Sequence, residues 1–136
     1  MALDPTLAGR TFAPTPPYAV NQEKIVEFSR AVGADLLDGG TTAPLTFPIV
    51  VAFAAMTRLM ADPAVGIELH HVVHGDQRFE QNRPIKAGDR LTGTLTIDSV
   101  RAAAGVDMIG TRTVITTVEG EPVATAFATL VHRGEE

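Results

Sequence analysis

Cysteine is absent from these 136 residues, which removes disulfides, thiolate chemistry and sulfur-ligated metal from consideration. Serine is scarce: only Ser29 and Ser99 occur, one in a helical pattern and one in a strand pattern. Neither stands in the sharp glycine-flanked turn of a nucleophilic serine, so nucleophilic catalysis has no support. Positive charge is short as well. A net charge of −5 argues against nucleic acid as a partner, because neutralising phosphates takes clustered Lys and Arg. The opening MALDPTLAGR has no basic stretch followed by an apolar one, so export is not expected and a cytoplasmic location is. The longest apolar run, 43–60, carries Thr57, Arg58 and two prolines, and falls short of the roughly 20 apolar residues that span a bilayer. No membrane role is expected. Internal repeats and low-complexity tracts are absent too.

What is present suffices for a core. With 45% apolar and 20% charged residues, the chain reads as one domain, 1–136, that buries its own interior. Residues 1–17 hold Pro5, Pro14, Pro16 and Pro17 and are expected as an extended arm, with a short strand at Tyr18–Val20. Asn21 is a good helix N-cap, and Glu23 lies where the helix dipole favours an acid. Ile25, Phe28 and Val32 then recur at helical spacing, and Gly33 closes the helix. Ala43–Met60 (APLTFPIVVAFAAMTRLM) has only Thr46, Thr57 and Arg58 as polar side chains. A helix there is apolar nearly all round and has to be enclosed on nearly every side. Its start lies at Pro44 or Pro48, since proline is tolerated only in a first turn.

Beyond that helix the period changes to two. Leu91, Gly93, Leu95 and Ile97 alternate with threonines and Asp98, and 108–118 and 123–131 behave alike. Turn signals at 86–89, 104–107 and 119–122 separate these strands. A further strand, 67–83, is expected to bulge at Gly75. Two helices followed by a meander of about four strands read as α+β. An antiparallel sheet wrapped around one long buried apolar helix is the hot-dog fold. Such a wrap leaves an edge strand and an open helix flank, so a dimer is expected to close it.

Four histidines are available: His70, His71, His74 and His132. His74 and Asp76, two apart, are expected on one strand face, either as an imidazole–carboxylate base or as a structural or substrate-lining pair. His70 and His71 project to opposite faces, and H-H-x-x-H has no companion ligand, so no metal site is expected. Gly39-Gly40 before the helix lacks the lysine and spacing of a phosphate loop and reads as a turn. Backbone N–H groups around Leu45–Phe47 are expected to be unpaired and to point outward. They suit a thioester carbonyl whose oxygen gains negative charge as the α-carbon is deprotonated. Thr46 either orients that group or caps the helix. Arg78, Arg83, Lys86 and Arg90, within 13 residues, read as a solvated turn or as an anchor for a phosphate-bearing ligand or an acidic carrier protein.

The stretch His74–Leu91, H-G-D-Q-R-F-E-Q-N-R-P-I-K-A-G-D-R-L, resembles the long strand, proline turn and G-D-x-L of the MaoC-like hot-dog dehydratases and hydratases. P-x-Y-x-V-x-x-E-K-I-x-E-F (Pro16–Phe28) and Ala43-Pro44-Leu45-Thr46-Phe47 resemble one branch of that family, small actinobacterial proteins that include non-catalytic subunits of (3R)-hydroxyacyl-carrier-protein dehydratases. The similarity covers residues 3–133. In competent members a D-x-N-P-x-H segment supplies the Asp and His that add or remove water at an enoyl thioester. Here 33–42 reads GADLLDGGTT, with no Asn-Pro and no His, so no residue, Asp35 included, inherits a catalytic role. The resemblance therefore implies an inert subunit that binds an acyl-CoA or acyl-carrier-protein thioester and takes no cofactor. Its wall residues would be Pro44, Thr46, Phe47, His74 and Gln77. Its partner would be a catalytic MaoC-like subunit in a heterodimer, or a second copy. The alternatives are a self-sufficient homodimeric hydratase or thioesterase using His74, Asp76 or Asp35, and a homodimer that binds an acyl ligand without turning it over.

Overall fold

Local signals set the first helix. In the computed structural model, which describes residues 3–67 and 71–133, α1 spans Gln22–Val32. The Asn21 side chain accepts from Lys24 N at its start, and Gly33 ends it in the left-handed conformation. Val32 is exposed, so the inward stripe is Ile25 and Ser29 with the half-buried Phe28, rather than Ile25, Phe28 and Val32. β1 (Tyr18–Ala19) precedes this helix and α2 (Ile49–Ala61) follows. The strands are β2 (Val72–Gln81), β3 (Arg90–Ala103), β4 (Val106–Thr117) and β5 (Pro122–Arg133). Of the long strand expected at 67–83, residues 68–70 lie outside the described residues, as does His70.

All pairs are antiparallel, in the order β1-β3-β4-β5-β2. β3 to β5 form the expected meander, joined first by the two-residue turn Ala104-Gly105, where both residues have positive φ. β2 corrects the rest of that expectation. It does not lie beside β3 but pairs with β5 at the far edge, because residues 82–89 carry the chain back across the end of the sheet. There the Asn82 N–H donates to Val123 O, the Val20 N–H donates to Asp89 O, and Val20 O accepts the Gly88 N–H.

The sheet curls around α2, giving the α+β hot-dog fold. Phe47, Val51, Leu91, Ile115 and Val123 fill the core at the N-terminal end of α2, with Ile25 from α1. Met56, Leu59, Leu95, Ile97, Ile109 and Leu130 fill the other end, closed by Leu3 and Leu7. Gly93 lets α2 approach, since a Cβ there would lie 3.0 Å from Val51 Cγ1. The helix is shorter and less enclosed than its composition suggests. Residues 45–48 form turns, Pro48 is the N-cap, and Phe53, Ala54, Thr57 and Arg58 face outward. Only one face of α2 meets the sheet, so Phe53 stays 56% exposed.

The N-terminal residues form a strap. After a tight turn at Pro5–Leu7 the chain runs extended along β3, with Gly9, Phe12 and Thr15 N–H groups donating to Ile97, Leu95 and Gly93 carbonyls. That covers the outer edge of β3. Among the described residues β2 is left as the open edge of the sheet. No helix among them is long and apolar enough to cross a membrane.

Candidate active-site groove between β2 and α2

The bulge at Gly75 decides which side chains of β2 look at the helix. His74 pairs with Leu130 and Asp76 with Thr129, so Gly75 is the extra residue. Leu130 is on the buried face of β5 and Thr129 on the opposite face. His74 and Asp76 therefore sit on opposite faces of the sheet, which corrects the shared face inferred from their spacing. Beyond the bulge Gln77, Phe79 and Gln81 oppose Ala128, Ala126 and Ala124, all buried, and share the concave face with His74. The carboxylate of Asp76 instead accepts the Thr129 N–H at 3.1 Å on the convex side.

The concave face of β2 thus meets the flank of α2, and the strip between them is the candidate groove. His74 Nε2 lies 3.3 Å from Met56 Sδ, while Gln77 Nε2 donates to Phe127 O at 3.0 Å. Gln81 Nε2 reaches Leu45 O at 3.3 Å and ties the strand to the turn before the helix. Gln77 Oε1 is buried and accepts no hydrogen bond from the described residues. Leu45, before the helix, is 74% exposed, and Phe53 on the helix is exposed as well.

The residues around the helix start divide. Thr46 is exposed, and its hydroxyl neither caps α2 nor bonds to any other described residue. Pro44 and Phe47 are buried, with the Phe47 ring edge-to-face on Phe28 at 5.2 Å. The Phe47 N–H donates to Pro44 O, and those of Ile49 and Val50 to Thr46 and Phe47 carbonyls, so at Phe47 the expectation of unpaired N–H groups around Leu45–Phe47 is corrected. The tight turn that begins at Pro44 takes up the Phe47 donor. Within 33–42, Asp35 is exposed, while Asp38 accepts the Thr42 hydroxyl and Thr41 O accepts the Ala87 N–H. Gly40 packs on α1, where a Cβ would meet Val26 at 2.6 Å.

The basic stretch 78–90 does not gather into one patch. Arg83 is held by Asp89 and Glu121, both at 2.9 Å, and those hydrogen bonds raise its pKa. Burial alone would raise the pKa of Asp89, but the bonds from Arg83 and the Lys86 N–H leave it below the ordinary carboxylate value. Arg78 stacks over the Phe127 ring at 4.0 Å on the convex face. Another imidazole–carboxylate approach lies at the far end of the core, where His132 Nδ1 is 3.9 Å from Asp107 Oδ2 and both side chains are buried. The spacing of the sequence does not reveal it, since 24 residues of hairpin separate the two and only the register Asp107–His132 joins them. No group of side chains among the described residues is arranged to hold a metal ion.

Comparison with known proteins agrees with this architecture. A family model described as "FAS1-like, dehydratase domain region" matches residues 39–126. A UPF0336 protein of Leifsonia xyli subsp. xyli is 43% identical, over 98% of each chain. A chain of the C-terminally truncated HadBC (3R-hydroxyacyl-ACP dehydratase) complex of Mycobacterium tuberculosis is 31% identical, with a TM-score of 0.79, over 92% of this chain and 96% of that one. A MaoC-like dehydratase is 33% identical with a TM-score of 0.76, the match covering 93% of this chain and 42% of that one. Family model, curved sheet and helix agree: this chain belongs to the MaoC-like hot-dog dehydratase family, alongside its UPF0336 members.

Proposed function

We propose that this protein is the non-catalytic, substrate-binding subunit of a (3R)-hydroxyacyl-thioester dehydratase, and that a MaoC-like partner supplies the catalytic Asp and His. The observation that carries this reading is the lack, among the described residues, of an acid–base pair in the groove. Dehydration needs a base for the α-proton and an acid for the departing hydroxyl. The imidazole in the groove, His74, meets a thioether, and the bulge turns Asp76 to the other face. Asp35 stands exposed on a loop without histidine. The open β2 edge and the bare apolar flank of α2 are the surfaces that a partner of the same fold would cover. The HadBC relative is itself a complex, which fits. In the assembly Thr46, His74 and Gln77 line the acyl-pantetheine path of a CoA or carrier-protein thioester, while Pro44 and Phe47 fix the turn that carries Thr46.

One observation favours a second reading. His74 is exposed enough to serve as a lone base in a homodimer that works by itself. Crotonyl-CoA hydration, followed by loss of enoyl absorbance, separates the two. The chain alone is expected to be silent, and the complex co-expressed with a MaoC-like subunit active. Activity in the pure chain that His74→Ala abolishes, with a homodimer that ignores the partner, overturns the first reading.

A further inference from the structure

The spacing of the groove residues carries a consequence of its own. His74 and Gln77 are three positions apart, and a regular strand sends such residues to opposite faces. They share the concave face here because Gly75 is skipped by the ladder. A bulge disrupts the ladder locally, so that a side chain can meet a donor of the partner strand. On β5 that donor is the Thr129 N–H, and Asp76 Oδ1 takes it. The position has little room for anything but glycine, since a Cβ on Gly75 would lie 3.2 Å from Val131 Cγ2 and 3.3 Å from the Thr129 carbonyl. Gly75 thus permits the bulge, and the Asp76 carboxylate ties β5 to the bulged strand beside it.

We infer that Asp76 is a positioning residue: by accepting the Thr129 N–H it holds the Gly75 bulge and thereby places His74 and Gln77 together on the wall of the groove. With the bulge released, the ladder regains strict alternation. Either Val72–His74 or Gln77–Gln81 then turns over, and the groove loses one of its two polar walls. The role of Asp76 is geometric, since its carboxylate lies on the convex face. It rests on the reading that His74 and Gln77 face the acyl ligand, but the geometry is measurable without any ligand.

The experiment uses the full chain with methyl-labelled methionine. It records the nuclear Overhauser effect between the His74 ring protons and the Met56 methyl in four proteins: wild type, Asp76→Asn, Asp76→Ala, and Asp76→Ala with Gly75 deleted. Asn keeps an acceptor oxygen, and deleting Gly75 restores a regular ladder with His74 and Gln77 still on the concave face. The contact is expected in wild type, in Asp76→Asn and in the deletion variant, and lost in Asp76→Ala. If Asp76→Ala does not fold while the deletion variant does, the inference is equally supported, because only the bulged ladder needs the carboxylate. The contact persisting unchanged in Asp76→Ala, or the deletion variant failing along with it, overturns the inference. Titration of the same proteins with crotonyl-CoA tests the functional reading separately. If the contact follows the expected pattern but His74→Ala leaves crotonyl-CoA binding to the assembled complex unchanged, the bulge lock stands and the groove assignment falls.

Discussion

Phe47 and Thr46 are neighbours in sequence with opposite expected consequences. Phe47 is fully buried against Phe28, so Phe47→Ala removes a ring from the core and should cost about 3–5 kcal/mol in urea unfolding. Thr46→Ala removes an exposed hydroxyl without a partner and should stay within about 0.5 kcal/mol. Any effect of Thr46 on acyl-thioester binding would then belong to the groove rather than to stability. Arg83 and Asp89 give a pH prediction. The Asp89 pKa is lowered from 3.8 in the folded chain. Its stabilising contribution is therefore complete above the unfolded value and is lost as pH falls below about 4 through the folded value. Asp89→Asn should flatten that acid limb in denaturation curves measured at successive pH. Arg83→Ala should cost about 1–3 kcal/mol at neutral pH, because it strips charged hydrogen bonds from two carboxylates.

At the scale of elements, legibility followed locality. The ends of α1 were readable because Asn21 and Gly33 act within a turn of their own positions. Strands β3 to β5 were readable because one face is buried and the alternation shows it. The start of α2 was not. Both Pro44 and Pro48 suit a first helical turn, and the choice is made by distant groups: the Ala43 N–H donates to Ile85 O, and Gln81 grips Leu45 O. The closeness of α2 to the sheet was also hidden, since a glycine in a strand pattern does not say what approaches it. Gly93→Val should push α2 off β3 and destabilise by about 1–3 kcal/mol, read as a lowered urea midpoint. The placement of His74 depended on the bulge in the same way, because strict alternation predicts the wrong partner.

For the molecule as a whole, the distribution of covered and bare edges sets the expected assembly. The strap occupies one edge of the sheet and leaves β2 at the other, next to an α2 flank that exposes Phe53. A second hot-dog protomer fits both features, and Phe53→Asp should yield a folded monomer by analytical ultracentrifugation. A wild-type chain that is itself monomeric, both alone and with a MaoC-like subunit, would remove the basis of the proposed assembly. The same experiment bears on function, since a groove bordered by an open edge is completed only by whatever covers it.

The amino-acid sequence alone determined the hot-dog class, the caps of α1, the strand periodicity and the family, because these follow from local backbone preference, from one-sided burial and from motif order along the chain. It also showed which residues segment 33–42 does not contain. Only the tertiary structure decided that β2 pairs with β5, that α2 is half bare, and that His74 faces Met56 while Asp76 faces away. Each of these depends on which distant backbone group meets which. One skipped residue at Gly75 is enough to reverse a face, and periodicity along the chain carries no information about the strand it will meet.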